Sequence, residues 1–218
     1  MEACQYAKID FRVCSFIEKI DSELTLEKFN SSVALYTKVF SYSLETGGAC
    51  GWTALSQAIK CGNENIANQI LKKDDSSLVH LRTTSDITPI YCTAMCPKVD
   101  VACKLACILL QKGARDDLNI SVFIKDRSFA TTPLWESLEV TNNIALAKLL
   151  LFHGAICPQP EILSAKGASS LEAARRDLAS DVSKINLMLL CLPKFLIADV
   201  ARGIASIYLS LMGVTHRH

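Results

Sequence analysis

Residues 51–73 read GWTALSQAIKCGNENIANQILKK and hold two short helical patterns in one stretch. Thr53 stands where a helix N-cap belongs, with a hydroxyl able to accept a backbone N–H from the first turn. Leu55, Ala58 and Ile59 follow at helical spacing. Gly62 ends that run, and Asn63 opens the next as a second cap. Ile66, Ala67, Ile70 and Leu71 then mark one apolar face of a second helix. Neither helix has enough apolar surface to be stable by itself, so the pair is expected to stack on similar units.

The pattern recurs along the chain. Thr88-Pro89-Ile90 opens a second copy, which closes at Leu109-Leu110-Gln111-Lys112-Gly113-Ala114. Thr132-Pro133-Leu134 opens a third, closing at Leu150-Leu151-Phe152-His153-Gly154-Ala155. Ser169-Ser170-Leu171-Glu172-Ala173-Ala174 reads as a weaker fourth opening, with Leu189-Leu190 as its end. These residues resemble the ankyrin repeat, whose pattern runs G-x-T-P-L-H-x-A, then a glycine, then a second helix ending L-L-x-x-G-A. The openings at 53, 88, 132 and 169 are 35, 44 and 37 residues apart, against a family period of about 33. The excess falls where connecting loops belong. Ser56, Tyr91, Trp135 and Glu172 stand at the family's histidine position, so the bond that histidine makes in the helix-opening turn is lost and a less stable array is expected.

The resemblance implies an all-α fold: an α-solenoid of helix-turn-helix repeats with N- and C-terminal helical caps. A helical hairpin cap occupies 1–46, about four repeats fill 47–192 with the last one weak, and a capping helix and tail form 193–218. It also implies a non-enzymatic adaptor that binds another protein through hairpin fingers and a concave face lined by the first helices. Carried over position by position, the first finger offers Cys50 and Trp52, and the concave positions before Gly62 are Lys60 and Cys61. The second repeat offers Ile87 and Met95; the third offers Phe129, Thr131 and Glu139. Trp52 leads this set, because an aromatic at a finger tip is a typical interface anchor.

Composition narrows the function classes. Lysine and arginine number 23 against 22 aspartates and glutamates; with no basic block, nothing draws nucleic acid. Ten cysteines and a start, MEACQYAKIDFRV, without a basic or apolar leader point to a reducing, cytoplasmic compartment. No glycine-rich phosphate loop, G-x-S-x-G, H-E-x-x-H or telling carboxylate pair is found. No catalytic site, cofactor or small-molecule substrate is expected.

Several stretches stay open between two readings. Residues 1–46 carry two apolar stripes divided at Asp21-Ser22, with Thr25 as a cap for the second. A cap over the first repeat explains them better than a separate domain. Cys92, Cys96, Cys103 and Cys107 form two i,i+4 pairs, which is the spacing of a buried small-residue face and also of thiolates around a zinc ion; packing is the expectation, and no metal. His80 reads as a solvated loop side chain. Pro97 ends one helix, and Asp100 starts a longer one. The connector RDDLNISVFIKDRSFAT (115–131) alternates like a strand at Ile120, Val122 and Ile124; Phe123 and Phe129 make it either a binding finger or a segment folded back on its neighbours. Trp135 and His153 are expected to be structural. Residues 194–212 are apolar but carry Asp199 and Arg202, which favours a capping helix over a membrane anchor or a partner-binding helix. A membrane-tethered scaffold and a host-directed effector of an intracellular bacterium, to which small cysteine-rich ankyrin proteins also belong, are the alternative readings.

Overall fold

The computed structural model describes residues 17, 19–35, 52–72, 76–83, 85–123, 129–157 and 162–190. The chain there is mostly helical. In order come α1 (Leu26–Leu35), α2 (Ala54–Lys60), α3 (Glu64–Leu71), α4 (Pro89–Met95), α5 (Val99–Gln111), α6 (Pro133–Glu139), α7 (Ile144–Phe152) and α8 (Ala165–Leu190). A two-residue strand β1 (Val122–Phe123) pairs antiparallel with β2 (Ala130–Thr131), with Val122 opposite Thr131.

Local chemistry sets the helix starts. Thr53, Thr88 and Thr132 accept backbone N–H groups from Ser56, Tyr91 and Trp135 at 3.0, 3.4 and 3.3 Å, so α2, α4 and α6 share one cap. Asn63 and Asn143 do the same for α3 and α7, accepting from Ile66 and Leu146 at 3.1 and 2.9 Å. The turn between α2 and α3 requires a left-handed residue, and Gly62 takes φ +69° there. A side chain at that position would also press on Cys96 and Lys98, 3.3 and 3.1 Å away. The matching turn between α6 and α7 uses Asn142 at φ 50°, a residue that tolerates this region. No side chain caps α5, which runs to 13 residues after Pro97.

Packing joins these pieces in two rows. Helices α2, α4 and α6 lie side by side, with α3, α5 and α7 side by side behind them, and α8 lies against both α6 and α7. The front helices are therefore hemmed in on several sides: residues 89–94 of α4 and 133–138 of α6 are all buried. Leu55, Ile59, Ile66, Ile90, Leu105, Leu109, Leu134, Leu146 and Leu150 form one continuous core, each such side chain contributing roughly 1.5–3 kcal/mol by leaving water. Ile17, Ile20 and Phe29 join it from the N-terminal side. Asn63 ties that segment down, its Nδ2 donating to Asp21 O and Leu24 O at 2.8 and 3.0 Å.

One expectation fails here. Residues 165–190 form a single uninterrupted helix of 26 residues, so no fourth helix pair starts at Ser169-Ser170-Leu171. The segment holds no proline, its lone glycine is Gly167 near the start, and alanine, leucine, arginine and lysine carry the helix onward. The Cys50 position, the first sixteen residues and the C-terminal stretch 193–218 lie outside the described residues. Among those described, no helix is long and apolar enough to cross a membrane.

Candidate partner-binding surface

A loop follows each rear helix, from α3 to α4, from α5 to α6 and from α7 to α8, and these loops are fastened to one another. After α3 comes a 3-10 turn, Ser76–His80; after α5 comes another, Ala114–Asp117. His80 Nδ1 lies 2.7 Å from Asp117 Oδ2, with the histidine partly exposed and the aspartate buried. A carboxylate only accepts, so Nδ1 carries the proton in this pair. His80 is thus a tether between loops and not a merely solvated side chain. Two residues on, Asn119 reaches the loop after α7, donating to Gly154 O at 3.3 Å and accepting from the Ile156 N–H at 2.8 Å. Three successive loops form one connected edge.

Two large apolar side chains stand out from that edge. Phe123 is 69% exposed and Ile156 64%, the highest values among the described large hydrophobics. The strand alternation explains the first: Val122 turns into the core while Phe123, its neighbour, faces out. Phe129, across the hairpin, is held edge-on against Trp135 with ring centroids 5.3 Å apart. The connector therefore does both things expected of it, folding back at Val122 and Phe129 and projecting at Phe123. Ile156 and Asn119 carry no sequence signal, because their roles depend on a loop 35 residues or more away.

The remaining expected contact residues divide. Trp52 is half-buried, with Lys60 Nζ 4.2 Å from its ring centroid, a cation–π pair. Cys61 and Met95 are half-buried as well. Gln57 Nε2 lies 3.3 Å from Cys61 Sγ, and burial raises the Cys61 thiol pKa. Ile87 and Thr131 are buried, at 5% and 1% exposure, and present no surface to a partner. Ile87 is drawn in by a tight turn in which its N–H donates to Thr83 Oγ1 at 3.1 Å while its carbonyl accepts from the Thr83 N–H at 2.9 Å. Thr131 Oγ1 lies 2.6 Å from the Tyr91 hydroxyl. Glu139 is occupied internally: its Oε1 accepts the Ser164 N–H at 2.6 Å, and a side chain at Gly167 would overlap its carboxylate. It seats the start of α8 and is not available to a partner.

The cysteine pairs are not gathered into a site. Cys92 is fully buried on α4 with its thiol pKa pushed up to about 12 by desolvation, whereas Cys107 on α5 is exposed. Among the described residues no three histidine, cysteine or acidic side chains come together as metal ligands.

Comparison with known proteins returns no matching family, no matching curated relative and no matching solved structure.

Proposed function

We propose that the chain is an ankyrin-type α-solenoid that binds another protein, without catalysis, along the edge built by its loops. The observation that carries this reading is the exposure of Phe123 and Ile156 on successive loops that Asn119 fastens together. Isolated exposed hydrophobics are common, but two on loops held in fixed relation make a preorganised contact patch. The repeated threonine and asparagine caps, the left-handed Gly113 and Gly154 after the rear helices, and the two-row packing support the repeat assignment. Trp52 and Lys60 extend the reading toward the first loop.

A photo-crosslinking amino acid placed at Phe123 or Ile156, and at Arg176 on the solvated face of α8 as a control, tests it in cells. Adducts with one protein from positions 123 and 156 and not from 176 are expected. The same adducts from all three positions, or none from 123 and 156 at normal expression, would refute the reading.

A further inference from the structure

Beneath the strand that carries Phe123 lies a small polar cluster with fewer hydrogens than contacts. The Tyr91 hydroxyl on α4 lies 2.6 Å from Thr131 Oγ1 on β2 and 3.2 Å from Glu136 Oε2 on α6. Thr131 Oγ1 in turn lies 3.4 Å from Val122 O on β1. All four residues are buried.

Only two of these three contacts can be hydrogen bonds at one time. Each hydroxyl has one hydrogen, while a carboxylate and a carbonyl only accept. In one arrangement Tyr91 donates to Glu136 and Thr131 donates to Tyr91, which leaves Val122 O without the threonine hydrogen. In the other, Tyr91 donates to Thr131, Thr131 donates to Val122 O, and Glu136 loses the tyrosine hydrogen. The count holds whatever else these groups touch, because a further acceptor only adds to the demand and a further donor leaves the two hydroxyl hydrogens the same in number.

Charge favours the first arrangement, since a hydrogen bond to a carboxylate is roughly twice as strong as one to a neutral acceptor. Distance agrees, with the Glu136 contact shorter than the Val122 one. Val122 O shares one planar peptide unit with the Phe123 N–H. A hydrogen that grips this carbonyl therefore also fixes the plane from which Phe123 projects.

We propose that Glu136 is a positioning residue for Phe123: its carboxylate draws the Tyr91 hydrogen away from Thr131 and so loosens the grip of Thr131 on the strand. The consequence for binding rests on the reading of Phe123 as a partner contact; the competition for hydrogens does not. A partner that needs Phe123 in one orientation binds more weakly for having the Glu136 carboxylate below it.

Isotope-labelled full-length protein tests this, with the carbonyl-carbon resonance of Val122 as the reporter of hydrogen bonding at its oxygen. Glu136→Gln weakens the pull on the Tyr91 hydrogen and can itself donate, and Tyr91→Phe leaves Thr131 with Val122 O. Both should move the resonance toward its hydrogen-bonded position. Thr131→Val removes the grip and should move it the other way. A cluster that merely stabilised the fold would loosen the strand in all three variants. Each is measured well below its own melting temperature, and if Glu136→Gln does not fold, the opposite signs of the other two decide. Photo-crosslinking from position 123 should rise in Glu136→Gln, by up to about fivefold for one net hydrogen bond. Movement in the same direction in all three variants, or an unmoved resonance in Glu136→Gln and Tyr91→Phe, would overturn the proposal. The expected resonance movements with no partner adduct from any variant would count against the loop-edge reading and uphold the positioning of the strand.

Discussion

His80 and Asp117 stand 37 residues apart in sequence and 2.7 Å apart in space, joining the loop after α3 to the loop after α5. Because Asp117 is buried, losing the imidazole leaves a desolvated carboxylate short of a partner. A hydrogen bond to a buried group of this kind is worth about 1 kcal/mol, with the exposed histidine side holding it at the low end. His80→Ala and Asp117→Ala should each lower the urea midpoint. Their combined effect should fall short of the sum by more than the ~0.3–0.5 kcal/mol expected of independent sites. Strict additivity in that double-mutant cycle would show that the pair does not couple the loops.

Tyr91 lies in the first turn of α4, and its hydroxyl reaches beyond its own helix. It lies 2.6 Å from Thr131 Oγ1 and donates to Glu136 Oε2 at 3.2 Å, so it bonds forward to the next helix pair. All three residues are buried. Tyr91→Phe keeps the ring and removes the hydroxyl that makes this link, and should destabilise the fold by about 1–2 kcal/mol. The urea m-value should stay unchanged. A midpoint equal to wild type would mean that α4 and α6 are held by packing alone at this junction.

These cases mark where sequence reading succeeds and where it stops. The threonine and asparagine caps, the glycine turns and the longer α5 after Pro97 were legible, because each is decided by groups within a few residues. Trp135 and His153 are buried, in keeping with the structural roles expected of them from the repeat resemblance. The fourth repeat was misread because Ser169-Ser170-Leu171 imitates an opening, while the absence of a breaker from Ala168 to Leu190 was the stronger fact. Ile87, Thr131 and Glu139 were misplaced for another reason: their partners, Thr83, Tyr91 and the start of α8, are fixed by the bend of a turn or by segments tens of residues away. The His80 and Asn119 bridges likewise join segments 35 or more residues apart, and are invisible within any one helix pair.

His153 supplies a pH test. Burial, and secondarily the Arg115 cation, push its pKa below 6.5. The unfolded chain then binds the proton more readily than the folded one, so stability rises with pH across this range. The contribution is fully present above pH 6.5 and is lost as pH falls from there through the folded-state value. Chemical denaturation between about pH 5 and 7 should show that slope in wild type and a shallower one in His153→Gln. Identical slopes would remove His153 as the source.

The cysteines should separate by access. Cys107 is exposed, while Cys92 is fully buried with its thiol held at about 12, and only the thiolate reacts. Iodoacetamide at pH 8 should modify Cys107 early and Cys92 only after urea is added, as read by peptide mass mapping. Early labelling of Cys92 in the folded chain would show that α4 opens far more readily than its burial implies.

Asn119 decides whether Phe123 and Ile156 act together. Its carboxamide accepts the Ile156 N–H at 2.8 Å and donates to Gly154 O at 3.3 Å. Both loops are otherwise exposed at these points. Asn119→Ala should therefore free the Ile156 amide to exchange with solvent about tenfold faster or more, given about 1.4 kcal/mol or more for the two bonds together. Amides in the core of α5 and α7 should keep their protection, since the change touches no buried apolar group. If binding depends on the two side chains being held in one relation, Asn119→Ala should weaken it although neither Phe123 nor Ile156 has changed. Unaltered exchange at Ile156 would mean that the loops are aligned by their own helices and that the staple is incidental.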